Sequence, residues 1–314
     1  MPWKDYERLL SKVATYHYVE EKSQLEIADI LGLSRSKVCR MIADAKSLGI
    51  VQISVKYPVS TCNELEMQFE KRFKLREAII VNDFEEDNMM PVLGQAGADY
   101  LRRIVTSEDI IGISWGETLF HVVNQLQPFH TTGTKVVQLV GGLNNSGQNL
   151  QAVELARRLG KFFNSDPTLL HCPAVVTNSQ VMEGLLEDEN IQKVIQLWKK
   201  TTVALVGIGS MEPDSELFKN NHLSLHWHEM LNESVAVGDV CMRFFDQLGN
   251  KCCHELNELI MGITLETLKT VRTVICIARG THKANAILGA LNSEIPNVLI
   301  TDRETAKMIL EIDK

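Results

Sequence analysis

Two different rhythms of apolar and polar positions divide this chain. Over residues 4–47 apolar side chains recur three and four residues apart, the spacing of one helix face. Tyr6, Leu9, Leu10 and Val13, with Tyr16 or His17, mark a first helix over residues 4–18. Ile27, Ala28 and Leu31 mark the buried side of a second. Gly32 supplies a tight turn and Leu33 plugs it. Ser34 is an N-cap, whose hydroxyl can accept from a free backbone N–H one turn into a third helix running from Arg35 to about Ala45. At about 100° per residue, Val38, Met41, Ile42 and Ala45 share that helix's buried face. Small Ala28, then Gly32, then β-branched Val38 give the spacing of a helix-turn-helix, with Ala28 small because the helices cross there.

The rhythm then changes. "IVQISVKY" (50–57) alternates like a short strand, a candidate wing, and Pro58 with "STCN" breaks it. "ELEMQFEKRFKL" (64–75) places Leu65, Phe69 and Phe73 on one helical stripe. That stripe suits packing on its own chain or pairing with a second subunit, and the pattern allows both. From residue 78 short β-branched runs alternate with helical stretches: "AIIVN", "DIIGISWG", "KVVQLVGG", "LLHCPAVV", "TVALVGIG", "TVICIAR" and "NVLIT", with helices expected over 91–105, 149–163, 181–200, 282–291 and 304–311. Buried parallel strands read as apolar runs and need helical crossovers, so the expected fold is α/β, a doubly wound parallel sheet behind the N-terminal helices. The expected organisation is a helix-turn-helix domain over 1–57, a linker helix over 58–76 and an α/β domain over 77–314.

Charge sharpens this division. The chain of 314 residues has a formal net charge of −8. Residues 1–60 hold nine Lys and Arg against seven Asp and Glu, a net of +2, and the remainder carries −10. The first segment alone suits a polyanion, and the acidic body would repel one. The seven cysteines are odd in number, and Cys252-Cys253 is their close pair without a C-x-x-C. That implies reduced thiols in the cytoplasm, not a disulfide frame or zinc site. No run is long and apolar enough to cross a membrane, and the first residues lack a signal-peptide layout.

The candidate chemistry follows the same split. In the third helix Ser36, Cys39 and Arg40 lie opposite the buried face, with Arg35 and Lys37 on the flanks. Small residues around one Arg suit a helix entering the major groove of double-stranded DNA, where Arg can fork onto guanine. Ser34 and Arg35 stand where a phosphate would lie, and Gln24 at the start of the second helix completes the set. In the body, ligands are expected where strands end. "SWGET" (114–118), "VGGLNNSG" (140–147) and "VGIGS" (206–210) carry glycines there, which let backbone N–H groups approach an anion. One such glycine is often plain turn geometry; three in one sheet point to a shared phosphate or polyol pocket. Asp239 follows a glycine where it could accept from sugar hydroxyls. Lys283 lies in the first turn of a helix, a place the helix dipole disfavours and an anionic ligand would favour. His222 and His226 have a metal-compatible spacing but no H-E-x-x-H, and neither a Walker A nor a G-x-S-x-G motif is present. No metal or cofactor is expected.

The motif order "SQLEIADILGLSRSKVCRMIADAKSLGIV", "GISWGETL", "VQLVGG", "VGIG", "VGDVCMRFFD", "ARGTHKANAILGAL" and "VLITDRETAKMIL" resembles the SorC family of bacterial transcriptional regulators over nearly the whole chain. The resemblance implies operator binding by the helix-turn-helix. It also implies a C-terminal domain with the fold of sugar-phosphate isomerases and deaminases that senses a phosphorylated sugar or polyol, in a homo-oligomer, dimer or tetramer. Carried over, Gly116, Glu117, Thr118 and Lys283 would meet the phosphate, and Gly141, Gly142 and Asp239 the sugar, with Ser114 and Gly209 in the same loops. Some relatives have a small Thr or Gly where Trp115 and Glu117 stand. The alternative is a sugar-phosphate isomerase or deaminase with a DNA-binding head, using Asp239 or Glu117 as base and His121 or His171 as partner.

Overall fold

The computed structural model describes residues 2–51, 62–82, 86–127, 133–143, 151–213, 215–219 and 223–313. It divides into two compact units, Met1–Pro58 and Val59–Lys314. Most of the expected strand over 50–57, the loop residues 144–147 and His222 lie outside the described residues.

The first unit is a three-helix head: α1 (Pro2–Tyr18), α2 (Gln24–Leu31) and α3 (Arg35–Ser47). Its core is the predicted stripe, with Leu10, Val13, Ile27, Ala28, Val38, Met41, Ile42 and Ala45 all buried. Ser23 and Glu26 close a reciprocal capping box at the start of α2. Gly32 ends α2 in the left-handed region, φ 66°, where a side chain would be strained. Ser34 caps α3 by accepting from the Lys37 N–H at 3.3 Å. The Tyr6 hydroxyl donates to Asp44 at 2.7 Å and ties α1 to α3.

In the second unit α4 (Asn63–Phe73) leads into β1 (Glu77–Val81), α5 (Glu86–Ile104), β2 (Ile110–Ile113), α6 (Glu117–Gln125) and β3 (Lys135–Gln138). Then come α7 (Ala152–Phe162), α8 (Ser179–Glu187), α9 (Glu189–Trp198), β4 (Val203–Gly207), β5 (Gly209–Ser210), α10 (Glu216–Lys219) and α11 (Leu225–Asn232). The chain closes with β6 (Gly238–Val240), β7 (Arg243–Phe245), α12 (His254–Glu258), α13 (Leu265–Lys269), β8 (Thr273–Ile277), α14 (Ala284–Asn292), β9 (Val298–Asp302) and α15 (Arg303–Ile312). Six strands form a parallel sheet in the order β1-β9-β8-β4-β2-β3. From β2 the chain winds outward to β3, and from β4 it winds the other way through β8 to β9. The strand order therefore reverses between β2 and β4, the crevice where such sheets bind ligands. Apolar clusters on both faces bury β2, β4, β8 and β9, as their uninterrupted apolar sequences require.

Three elements differ from expectation. "LLHCPAVV" forms no strand; Pro173 and Val175 make only isolated bridges, to Gly142 and Ile260, and Pro173 has no N–H for a ladder. The helix expected over 181–200 breaks into α8 and α9, because Asp188 turns its carboxylate onto the N–H groups of Asn190 and Ile191 and caps a new helix. A small antiparallel sheet, β5-β6-β7, rises after β4 in a region whose short runs gave no strand signal.

The stripe on α4 packs on its own chain. Phe69 is fully buried in the body's core, with Leu65 and Phe73 against it. The same helix covers the edge strand β1. Glu70 accepts from the Ala78 N–H at 3.1 Å and Glu66 from the Ile80 N–H at 2.9 Å, so two carboxylates satisfy an edge that would otherwise be open to another strand. Burial raises the pKa of Glu66, the Ile80 N–H opposes that shift, and the charges of Glu70 and Glu77 add to it.

Candidate functional site

At the cap and along α3 the side chains of Ser34, Arg35, Ser36, Lys37, Cys39 and Arg40 are exposed, while Val38, Met41 and Ile42 are buried. Gln24 is half-buried at the start of α2. The helix thus presents a basic and small-residue face on a rigid apolar base.

In the body a cavity of about 650 Å³, including its open mouth, lies at the carboxyl ends of β2, β4 and β8, beside the point where the strand order reverses. It gathers Ser114, Gly116, Glu117, Thr118, Gly209, Asp239 and Lys283. Gly116 caps α6 with φ 120°, and no side chain caps that end. The first backbone bond of the helix runs from Phe120 N–H to Gly116 O, which leaves the N–H groups of residues 117 to 119 without a carbonyl in the helix. Together with the helix dipole these make a ready anion site. Lys283 donates from Nζ to the Ile208 carbonyl at 3.2 Å, which brings its charge to the loop after β4. The loop carrying Lys283 is anchored at Gly280, whose N–H donates to Asp302 at 3.1 Å and to Thr305 at 2.7 Å.

Asp239 is buried, at 4% exposure, and accepts from the Met242 N–H at 2.9 Å. Burial pushes its pKa up to about 6, against the pull of the Met242 N–H and the Lys283 charge. The geometry depends on two backbone devices. Gly209 pairs with Asp239 across β5 and β6, and a Cβ at 209 would run into the carboxylate. The β6–β7 hairpin turns on Cys241 and Met242, both left-handed at φ 53° and 63°, where glycine or asparagine is usual. This strained turn directs the Met242 N–H back onto Asp239. It also sets the Cys241 thiol at the cavity, where burial pushes its pKa up to about 12 and leaves it inert.

Two expected sugar contacts lie elsewhere. Gly141 and Gly142 do not line this cavity. Their N–H groups donate to Met261 O and Cys172 O, so neither is available to a ligand there. His121 and His171 are also absent from its lining, so neither imidazole faces Asp239 across the cavity as the enzyme alternative needs. Glu117 is exposed at the rim, where the α6 dipole favours a carboxylate. Sequence reasoning missed Ser215, Asp302 and Thr305. The spacing of the last two in "TDRET" is an N-cap signature, and Asp302 does accept from the Thr305 N–H. Arg243 was missed as well. It is buried and donates to four carbonyls, those of Ile263, Asn257, Ile260 and Gly262. Burial lowers its pKa to about 10, so it stays charged at neutral pH. Its signal was a lone cation inside the apolar run "VCMRFF". Among the described residues no three metal-binding side chains converge.

The chain thus combines a helix-turn-helix unit with a doubly wound α/β body that holds a cavity beside its switch point. The family described as "Putative sugar-binding domain" matches residues 57–311. The chain is 32% identical to the deoxyribonucleoside regulator of Bacillus subtilis, over 98% of each chain. It is 30% identical to the sorbitol operon regulator of Klebsiella pneumoniae, over 97% of this chain and 98% of that one. The crystal structure of that full-length regulator superposes with a TM-score of 0.76, at 29% identity, over 98% of this chain and 99% of the other. The chain belongs to this SorC/DeoR-like family of sugar-binding transcriptional regulators. Its relatives are regulators and not enzymes, and it is itself a transcriptional regulator, with DNA and a sugar effector as the partners that role implies.

Proposed function

We propose that the chain binds operator DNA through Arg35, Ser36, Lys37, Cys39 and Arg40, with Gln24 and Ser34 at the backbone, and that a phosphorylated sugar or polyol in the body's cavity controls that binding. In this reading residues 1–57 are the DNA-binding domain, 58–76 the linker and 77–314 the effector and oligomerisation domain. The observation that carries it is the cavity itself: uncapped N–H groups of α6, the Lys283 ammonium and the buried Asp239 carboxylate share one space. The first two suit phosphate, and the third suits sugar hydroxyls. Two relatives are named for deoxyribonucleosides and for a sorbitol operon, which supports a sugar or polyol as the ligand. A single helix-turn-helix covers little DNA, so the reading includes a homo-oligomer on paired half-sites, acting in the cytoplasm. Among the described residues no helix is long and apolar enough to cross a membrane.

The test is a calorimetric titration of sugar phosphates and their unphosphorylated parents into wild type and Lys283→Met. The phosphate should bind far more tightly than its parent, and Lys283→Met should weaken it about tenfold or more, near the ~1.5–3 kcal/mol of a charged hydrogen bond. Equal affinity for parent and phosphate, with no effect of Lys283→Met, would reject the phosphate site. Because linkage is reciprocal, an effector that changes operator affinity must have its own affinity changed equally by operator.

A further inference from the structure

Ser215 has no part in the reading above, yet it lines the same cavity. Its residue is 9% exposed, and its Oγ is buried without a hydrogen-bond partner among the described residues. The main chain around it is satisfied. Its N–H donates to Glu212 O at 2.9 Å, and its carbonyl accepts from the Phe218 N–H at 3.0 Å. Leu217, two residues on, is buried in an apolar cluster with Leu223, Leu231, Met242 and Phe244. The hydroxyl is therefore held on a fixed backbone beside the ligand space while lacking the partner that buried polar groups nearly always have.

Two polar groups around it are already engaged by the protein, Asp239 by the Met242 N–H and Lys283 by Ile208 O. A hydroxyl can donate to a phosphate or accept from a sugar, so an oxygen of either would complete it. We propose that Ser215 is an effector-contacting residue, whose hydroxyl, left without a protein partner among the described residues, bonds an oxygen of the phosphorylated sugar. The ligand class rests on the proposed function. Ser215 carries a signature of its own: removing its hydroxyl breaks no bond within the protein and weakens only the bound ligand.

Ser210 supplies the control. Its Oγ is also buried and without a partner among the described residues, but Ser210 does not line the cavity. The experiment uses the full chain as wild type, Ser215→Ala and Ser210→Ala. Thermal unfolding is followed without ligand, and calorimetry then uses inorganic phosphate, ribose 5-phosphate, glucose 6-phosphate and sorbitol 6-phosphate. Both variants should melt at or above the wild-type temperature when empty. The tightest probe should lose about tenfold in affinity for Ser215→Ala and none for Ser210→Ala. A lower melting temperature for empty Ser215→Ala would mean that the hydroxyl has a structural partner, and would overturn the inference. So would an affinity within twofold of wild type for the same probe. If no probe binds even the wild type, the proposed effector class itself fails and Ser215 has no sugar phosphate to contact.

Discussion

The head and the body keep their functional groups in opposite places. On α3 the groups that would read DNA stand on the exposed side, and the buried side does nothing but hold the helix. In the body, Asp239 and Ser215 lie inside the protein, and Asp239 is engaged by a strained hairpin before any ligand arrives. An exposed site costs the fold little. A buried one keeps a carboxylate, a hydroxyl and two left-handed residues where an apolar filling would be more stable. The head should therefore tolerate loss of the exposed side chains of α3 with its stability intact, and the body should gain or lose stability wherever its site is altered.

The widest separation between the two units comes from Arg243. Arg243→Met strips a buried cation from four carbonyls and should destabilise the body by about 3–5 kcal/mol, the range for breaking a buried charged network. Hydrogen exchange should show the amides of β4, β6 and β8 losing protection while those of α1 to α3 keep theirs. Matching losses in both would mean that the two units unfold as one and would break the comparison.

Asp239→Asn should act in the unusual direction. The carboxyl's folded pKa of about 6 lies above its ordinary value of 3.8. The folded state thus holds the proton more tightly, an advantage fully present below about pH 4 and lost as pH rises through 6. Above that, wild type carries a penalty on the order of 3 kcal/mol. Denaturant unfolding of the ligand-free protein should find the asparagine variant more stable at pH 7.5, with a flatter profile between pH 4 and 6. Titration should find it poorer at sugars yet unchanged towards inorganic phosphate. A variant less stable at every pH would show that the ionised carboxylate supports the fold.

Arg40→Ala tests the head's side of the contrast. Operator affinity should fall by about 1–3 kcal/mol with relaxed preference at one base position, while the melting temperature stays within a degree or so. Equal loss on random DNA would make Arg40 a phosphate contact instead. The smallest effect belongs to Ser34→Ala. Removing the cap of α3 should cost the head about 1 kcal/mol, read as lower helical content on mild heating.

The same contrast governs what could be read from sequence. On α3 an exposed site is the complement of a buried stripe, so one periodicity located both. The parallel strands were legible because burial on two faces makes their sequences continuously apolar. The cavity was legible only through glycines and charges at strand ends, and that signal does not say where a loop points. Gly116 and Gly209 lead into the cavity, whereas Gly141 and Gly142 bond to neighbouring backbone instead. Ser215 carries no local signal, since its meaning is the lack of a partner in three dimensions. Asp188 hid a helix break inside a good helical pattern, because one side chain satisfied two N–H groups there.

The two glutamates of α4 have a mechanical consequence. They grip alternate N–H groups of β1, while Phe69 is sunk in the core beneath. A pull on α4 would reach these two bonds before it reached the ladder of the sheet. The two glutamates stand about one turn apart, so sliding the helix by a turn would bring one of them to the other's amide and leave a single N–H unsatisfied. The start of the body is thus held by a two-toothed catch, in which a slip of one turn keeps one tooth engaged.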